Sequence, residues 1–159
     1  MLKYTEAQVC FSEVPEEITL CINISGCPLH CKGCHSPHLQ NDIGEELTPT
    51  ILSNLITQNY GITCVAFMGG DAKTQEVIKL IAWVKENTKL KVCWYSGREL
   101  NHTEAYKYLD YLKVGPYKEN LGGLNSPTTN QRFYKIKHIM KDNNLQYVLE
   151  DITLKFQRQ

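Results

Sequence analysis

The sequence lacks the features that mark several classes of protein. No uninterrupted apolar run approaches the roughly 18 residues of a membrane span, and residues 1–6 show no basic patch leading into an apolar stretch. We therefore expect a cytoplasmic protein with no membrane partner. Net charge is also absent, because 17 Lys and Arg balance 17 Asp and Glu. A chain without excess positive charge is a poor candidate for generic nucleic-acid binding.

Signatures of hydrolysis and phosphoryl transfer are missing too. The sequence shows no paired acids that suggest hydrolysis, no Ser-His-Asp order and no Gly-rich phosphate loop. We expect isolated histidines such as His102 and His138 to face solvent. Internal repeats, low-complexity tracts and linkers are not evident either. With 159 residues, the chain is short enough that one domain over residues 1–159 is the expectation.

The apolar pattern predicts an α/β protein with a mainly parallel sheet, because strands, polar loops and helices alternate. Polar segments at 25–34, 69–71, 96–98 and 115–117 each follow a predicted strand, so we expect them to meet at one edge of that sheet. The predicted strands are 18–24, 61–68, 91–95 and 111–114, with strand-like pieces at 133–137 and 153–156; the predicted helices are 49–58, 73–87 and 102–110.

Cysteine is the residue type that stands out. The chain has seven, and an odd number without an export signal argues against a disulfide framework. Four of them are scattered among apolar residues, where a free thiol behaves as a small hydrophobe, and we interpret them as inert core. These four are Cys10, Cys21, Cys64 and Cys93.

The other three cysteines, Cys27, Cys31 and Cys34, form a C-x3-C-x2-C motif. The same offsets would suit one face of a helix, but Gly and Pro residues within and beside the motif disfavour a helix. Three soft thiolates on a short loop are typical of zinc or iron–sulfur sites. A zinc ion needs a fourth ligand, for which the nearby candidates are His30, His35 and His38. A cubane iron–sulfur cluster would have one iron without a protein ligand, and the spacing alone leaves both readings open.

The three-cysteine motif, with Gly69-Gly70-Asp71 after a later strand, resembles the radical S-adenosylmethionine (SAM) superfamily. Within it, further segments resemble the activating proteins of anaerobic (class III) ribonucleoside-triphosphate reductase. The resemblance covers about residues 18–133 and differs at Lys113-Val114, where an acidic residue is common. Its segments are Ser25-Gly26-Cys27, Gly33-Cys34, Tyr95-Ser96-Gly97, Gly115-Pro116-Tyr117 and the run from Ser126 to Arg132.

The resemblance implies a fold and a set of ligands. The fold would be a single-domain incomplete (β/α) barrel of the radical SAM type, with a core at about 18–133 and a C-terminal extension at 134–159. Cys27, Cys31 and Cys34 would hold one 4Fe-4S cluster whose fourth iron is open to SAM. Residues implied to lie near SAM are Gly33, His35, Gly69, Gly70, Asp71 and Ser96, and possible contacts to SAM or a partner are Asn130, Gln131 and Arg132. For Asp71, capping of the following helix is the alternative, and for Ser96 the alternative is that it only ends a strand. Asn130 to Arg132 have the alternative of an exposed polar loop.

The implied activity is reductive cleavage of SAM to generate a glycyl radical on the large subunit of the reductase. The implied electron donor is a low-potential protein such as a flavodoxin or a ferredoxin. Two alternatives stay open. One is an activase of another glycyl-radical enzyme, of the pyruvate formate-lyase type. The other is a zinc-binding adaptor domain without catalytic activity.

Overall fold

A computed structural model describes residues 1–34, 36–99 and 102–157. Eight strands form one sheet, and two α-helices accompany them in this part of the chain. The helices are α1 (Pro49–Gln58) and α2 (Thr74–Asn87). The strands are β1 (Lys3–Cys10), β2 (Thr19–Ile24), β3 (Glu45–Glu46), β4 (Cys64–Met68), β5 (Lys91–Tyr95), β6 (Tyr111–Val114), β7 (Arg132–Lys141) and β8 (Asn144–Asp151).

The sheet is mixed, with the strand order β3-β1-β2-β4-β5-β6-β7-β8. Its centre is parallel, since β2, β4, β5 and β6 pair side by side in one direction. Antiparallel strands flank this centre on both sides, with β1 and β3 next to β2 and with β7 and β8 next to β6. The four parallel strands place their carboxyl ends along one edge of the sheet.

The predicted incomplete (β/α) barrel with a mainly parallel sheet is wrong. A barrel of that type needs a helix after each strand to return the chain in parallel, whereas β6 is followed by a long loop and then by the antiparallel β7. Three strand pairs are parallel and four are antiparallel. The protein is therefore a mixed sheet of eight strands, and strands outnumber helices in the described residues.

Helix α1 has the predicted bounds for the predicted reason. Pro49 occupies its first turn, and the hydroxyl of Thr48 accepts a hydrogen bond from the Ile51 amide at 3.1 Å. Such a cap satisfies one of the amides that a helix start leaves without a partner. Strands β5 and β6 also have their predicted bounds. The predicted helix at 102–110 is wrong, because the structure has one 3-10 turn there, Thr103–Ala105.

The two faces of the sheet are covered differently. Both α-helices contribute buried side chains to the core on one face, with Leu52 from α1 and Ile81 from α2 fully buried. The other face is covered by irregular segments that contribute Val14 and Ile152. Three thiols lie in this second core: Cys21, Cys64 and Cys93. Burial raises the pKa of each of them, which fits the interpretation of these three as core residues.

The C-terminal part of the sheet is a long hairpin. Asp142 and Asn143 connect β7 to β8 with φ angles of 52° and 64°, the left-handed geometry that a tight two-residue hairpin turn requires. The segment predicted as a strand at 153–156 is instead a 3-10 turn, Thr153–Phe156. Among the described residues, no helix is long and apolar enough to cross a membrane.

Candidate metal centre

The cysteine motif lies on a loop that leaves the carboxyl end of β2. The loop is closed at its base, because the Gly26 amide donates to the Asn41 carbonyl at 3.0 Å and the Cys27 amide donates to the Leu39 carbonyl at 2.8 Å. Gly26 has a φ of +76°, a left-handed conformation that favours glycine. These two hydrogen bonds hold the three cysteines on one compact loop beside the sheet edge.

The three motif thiols are free and only partly buried. The Ser36 amide lies 3.4 Å from Cys34 Sγ and donates to it. The motif therefore offers three accessible soft ligands on irregular backbone, and the helical-stripe alternative does not apply, because the described part of residues 25–36 contains no helix.

Gly33 lets the motif lie against the loop that follows β6. A Cβ atom at this position would meet the side chains of Tyr117 and Glu119, each at 3.3 Å. Gly33 also has a φ of +76°. Its missing side chain therefore serves close packing between two loops as well as the turn between Cys31 and Cys34. His35, expected to lie near SAM, is outside the described residues.

The three motif thiols are not gathered as closely as ligands of one zinc ion. Ligands around zinc lie about 3.8 Å apart when each Zn–S distance is about 2.3 Å. In the described part of the chain, the three motif Sγ atoms do not all approach within 4.8 Å of one another. Of the candidate fourth ligands, His38 is exposed and His30 Nδ1 lies 2.8 Å from Gln40 Oε1.

The loop after β4 is tied to the loop after β5 by Asp71. Its carboxylate accepts from Ser96 Oγ at 2.6 Å and from the Gly97 amide at 2.8 Å, and its side chain does not cap α2, whose N-cap is Lys73. The helix-cap alternative for Asp71 is therefore wrong. Because both carboxylate oxygens already accept hydrogen bonds, a contact from Asp71 to a ligand remains a prediction.

Gly69 and Gly70 have packing reasons to be glycine. Both have positive φ angles, 116° and 93°. A Cβ on Gly69 would lie 3.2 Å from the Ile24 carbonyl oxygen, and one on Gly70 would collide with Val77 of α2. The Gly69 amide donates to the Tyr95 carbonyl at 3.0 Å. These contacts bring the Gly-Gly segment against β2 and β5, and the predicted approach of its backbone to SAM stays a prediction.

The prediction that His102 faces solvent is wrong. His102 is 5% exposed, its ring centroid lies 4.2 Å from that of Trp94, and its Nε2 lies 3.0 Å from Ser96 Oγ. Burial lowers the pKa of His102. Ser96 is itself fully buried, so it joins Asp71 and His102 in one polar network under the sheet edge. No sequence signal marks His102 as buried, since it stands in a polar segment.

Lys113 is a site residue that sequence reasoning missed. It is 8% exposed, and its ammonium donates to the carbonyls of Ser96 at 3.2 Å and Gly115 at 2.8 Å. Burial lowers the pKa of Lys113 to about 8, although the carboxylate of Asp71 and the motif thiols oppose this shift. A lysine inside the apolar strand Tyr111–Val114, one residue before its carboxyl end, was the available signal.

The segment Asn130 to Arg132 divides between two environments. Gln131 is 6% exposed and donates to the Gly115 carbonyl at 3.4 Å, and Asn130 donates to the Pro116 carbonyl at 3.0 Å. Arg132 instead pairs with Asp151 at 3.4 Å. The alternative of an exposed polar loop is wrong for Gln131. Asn130 Oδ1 is buried and accepts no hydrogen bond within the described residues.

A cavity of about 430 Å³ lies beside the motif at this edge. Its walls combine the motif, the strand ends and the loop after β6, so segments far apart in sequence meet there. The lining includes Cys34, Met68, Tyr95, Lys113 and Gln131. The size is within the range of small-molecule sites, and the mixture of apolar walls with a few buried polar groups is typical of them.

Comparison with known proteins supports a metal centre of one kind. Residues 17–148 match the family model described as a 4Fe-4S single cluster domain, so the chain belongs to that family. It is therefore an iron–sulfur protein. No curated protein and no solved structure matches the chain.

Proposed function

We propose that this protein is an activating enzyme that cleaves SAM reductively and generates a glycyl radical on the large subunit of an anaerobic ribonucleoside-triphosphate reductase. Cys27, Cys31 and Cys34 would hold the 4Fe-4S cluster. The cluster would supply one electron to the sulfonium of SAM, giving methionine and a 5′-deoxyadenosyl radical that takes a hydrogen atom from a glycine of the reductase. The electron would come from a low-potential donor such as a flavodoxin or a ferredoxin.

The observation that carries this proposal is the placement of the motif. Three free thiols share one loop, no cysteine supplies a fourth on the described part of that loop, and Cys34 lines a cavity large enough for a small molecule. A set of three protein ligands leaves one coordination position for a substrate, which is the arrangement of catalytic metal sites. The proposal does not depend on a barrel, because the carboxyl edge of β2, β4, β5 and β6 alone assembles these groups.

The chain offers groups that suit the polar parts of SAM. The ammonium of Lys113 has three hydrogens, two of which go to the Ser96 and Gly115 carbonyls, and the third would serve a ligand carboxylate. The apolar wall made by Met68 and Tyr95 would exclude water from the reacting carbon, which protects a reactive radical.

The test is radical formation on the partner protein. The full chain with a reconstituted cluster is mixed anaerobically with full-length reductase, SAM and dithionite, and electron paramagnetic resonance is recorded. We expect a glycyl radical signal with the wild type and with Cys93→Ala, which alters a buried thiol of the second core, and none with Cys31→Ala.

Two results would contradict the proposal in different ways. SAM cleavage without a radical on the reductase would point to another target, such as a pyruvate formate-lyase type enzyme. A protein that binds zinc and no iron would favour an adaptor domain and remove the enzymatic proposal.

A further inference from the structure

A second group of potential metal ligands lies on the hairpin formed by β1 and β2. Cys10 ends β1, Cys21 lies within β2, and Glu13 belongs to the turn between them. One ligand atom of each residue, two thiols and a carboxylate oxygen, lies within 4.8 Å of the other two. The sequence interpretation placed Cys10 and Cys21 in an inert core because both stand among apolar residues. It did not predict β1, and so it did not predict that the two cysteines meet in a hairpin.

The strand register explains how the two thiols meet. Cys10 pairs with Thr19, and Cys21 pairs with Gln8, in the antiparallel ladder of β1 and β2. Cys10 and Cys21 are therefore diagonal neighbours on the same face of the sheet. Cys21 is 4% exposed, Cys10 is partly buried, and both thiols are free. One thiol is thus fixed in the core and the other stands at its margin.

The turn is anchored so that the carboxylate reaches the thiols. Val14 is fully buried, and its carbonyl accepts from the Glu17 amide at 3.2 Å. The Tyr95 hydroxyl donates to the Glu13 carbonyl, which fixes the backbone of the ligand residue itself. Glu13 also lines the 430 Å³ cavity, so an ion has a path to the group from solvent.

We propose that Cys10, Glu13 and Cys21 form a second metal site, which takes one thiophilic divalent cation such as Zn²⁺ and is separate from the cysteine motif. Two thiolates and one carboxylate are ligands that zinc accepts, and the separations are compatible with one coordination shell. Three protein ligands leave a fourth position for water on the side of the cavity. This site shares no ligand with the motif, and Glu13 lines the cavity that we propose for SAM.

The test uses a background without the motif thiols. The variant Cys27→Ala/Cys31→Ala/Cys34→Ala is titrated with Co²⁺ under reducing, anaerobic conditions, and thiolate-to-Co²⁺ charge transfer is followed by absorption. We expect one equivalent to bind with charge-transfer bands and to be displaced by Zn²⁺. Adding Cys10→Ser should weaken binding by more than about tenfold and reduce the bands, while adding Glu13→Gln should weaken binding and keep the bands.

The matched control is Cys64→Ala in the same background. Cys64 belongs to the same core and is fully buried, but it is not part of the group, so binding should be unchanged. Far-ultraviolet circular dichroism of each variant checks that it is folded; Cys10→Ser changes a side chain at the margin of the core. Absence of charge transfer in the background variant, or equal binding by its folded Cys10→Ser derivative, would overturn the proposal. A Cys10–Cys21 disulfide that persists under these conditions and prevents uptake would overturn it as well.

Discussion

Buried charged residues have different partners at the two edges of the parallel part of the sheet, which we call the amino edge and the carboxyl edge after the strand ends that lie there. At the amino edge, Glu17 precedes β2 with its side chain 6% exposed, and Lys91 at the start of β5 lies 2.8 Å from its carboxylate. Thr63 adds a hydroxyl donor to Glu17 at 3.1 Å. At the carboxyl edge, Lys113 and Asp71 are both buried, and neither has an ion-pair partner within 4.0 Å among the described residues.

The paired charges at the amino edge stabilise the fold, whereas the charges without ion-pair partners lie at the carboxyl edge, where we propose that a ligand binds. A buried charge without a counter-charge lowers stability, and groups kept in that state cluster at functional sites. Hydrogen bonding to Glu17 raises the pKa of Lys91, whereas burial lowers the pKa of Lys113. The cavity and the cysteine motif lie at the carboxyl edge, where Lys113 is found.

The largest difference is expected between two variants that each change one cysteine, one at the carboxyl edge and one at the amino edge. Cys31→Ala removes one of the three proposed cluster ligands, so iron after anaerobic reconstitution should fall to the background level. Cys64→Ala changes a buried thiol at the start of β4, on the amino edge, and should retain iron. Iron and sulfide assays on both variants measure this difference. Equal iron content in the two would contradict the assignment of the cluster to the carboxyl edge.

The charge of Lys113 should be visible in the pH dependence of stability. Its pKa is about 8 in the folded protein, against 10.5 as the ordinary value. Below the folded pKa, lysine is protonated in both states, and the full cost of burying the charge is present. Between the two values only the unfolded chain holds the proton, so the free energy of unfolding rises with pH by up to about 3 kcal/mol.

Lys113→Met removes this contribution. Urea unfolding of the metal-free wild type and variant, from about pH 7 to about pH 10.5, should show the wild type gaining stability relative to the variant as pH rises. Titration of the thiols is common to both proteins and cancels in the difference. Parallel curves would show that the ammonium is not buried as described.

A matched pair of carboxylate variants compares the edges directly. Asp71→Asn leaves the Ser96 hydroxyl or the Gly97 amide without its acceptor, and Glu17→Gln weakens the pair with Lys91. Each should lower the free energy of unfolding by about 2 kcal/mol. Only Asp71→Asn should also reduce SAM cleavage, since Glu17 lies at the opposite edge. Equal losses of cleavage at equal folded fractions would contradict the assignment of function to one edge.

The smallest effect concerns a position outside both networks. Thr48→Ala removes the hydroxyl that caps α1 and should lower stability by about 1 kcal/mol. Thermal unfolding followed by circular dichroism measures this change. Iron content and SAM cleavage should stay at wild-type values, and a loss of iron would show that α1 matters for the site.

Sequence reasoning predicted the central strands because they carry their own signals. Val65 to Phe67 and Val92 to Trp94 are apolar on both faces, as buried parallel strands are. Strand β8 is mostly exposed, and β1 mixes partly buried and exposed residues, so neither shows an apolar run. Their pairing depends on neighbours elsewhere in the sheet. Missing them led to the wrong fold class.

The candidate site was predictable to the extent that its residues are unusual in sequence. The motif cysteines and Gly69-Gly70 stand out in the chain itself. His102 and the orphaned oxygen of Asn130 do not, because their roles come from burial by residues distant in sequence. Lys113 was predictable in part. A lysine within an apolar strand can be recognised in the sequence, but the groups that surround it cannot.

The central claim is a 4Fe-4S cluster on three cysteines with one iron open to SAM. The most direct measurement is iron and sulfide content of the anaerobically reconstituted wild type, with electron paramagnetic resonance of the reduced protein before and after SAM is added. We predict about four iron and four sulfide per chain and a signal that SAM changes. Zinc in place of iron, or a cluster signal that SAM leaves unaltered, would contradict the claim.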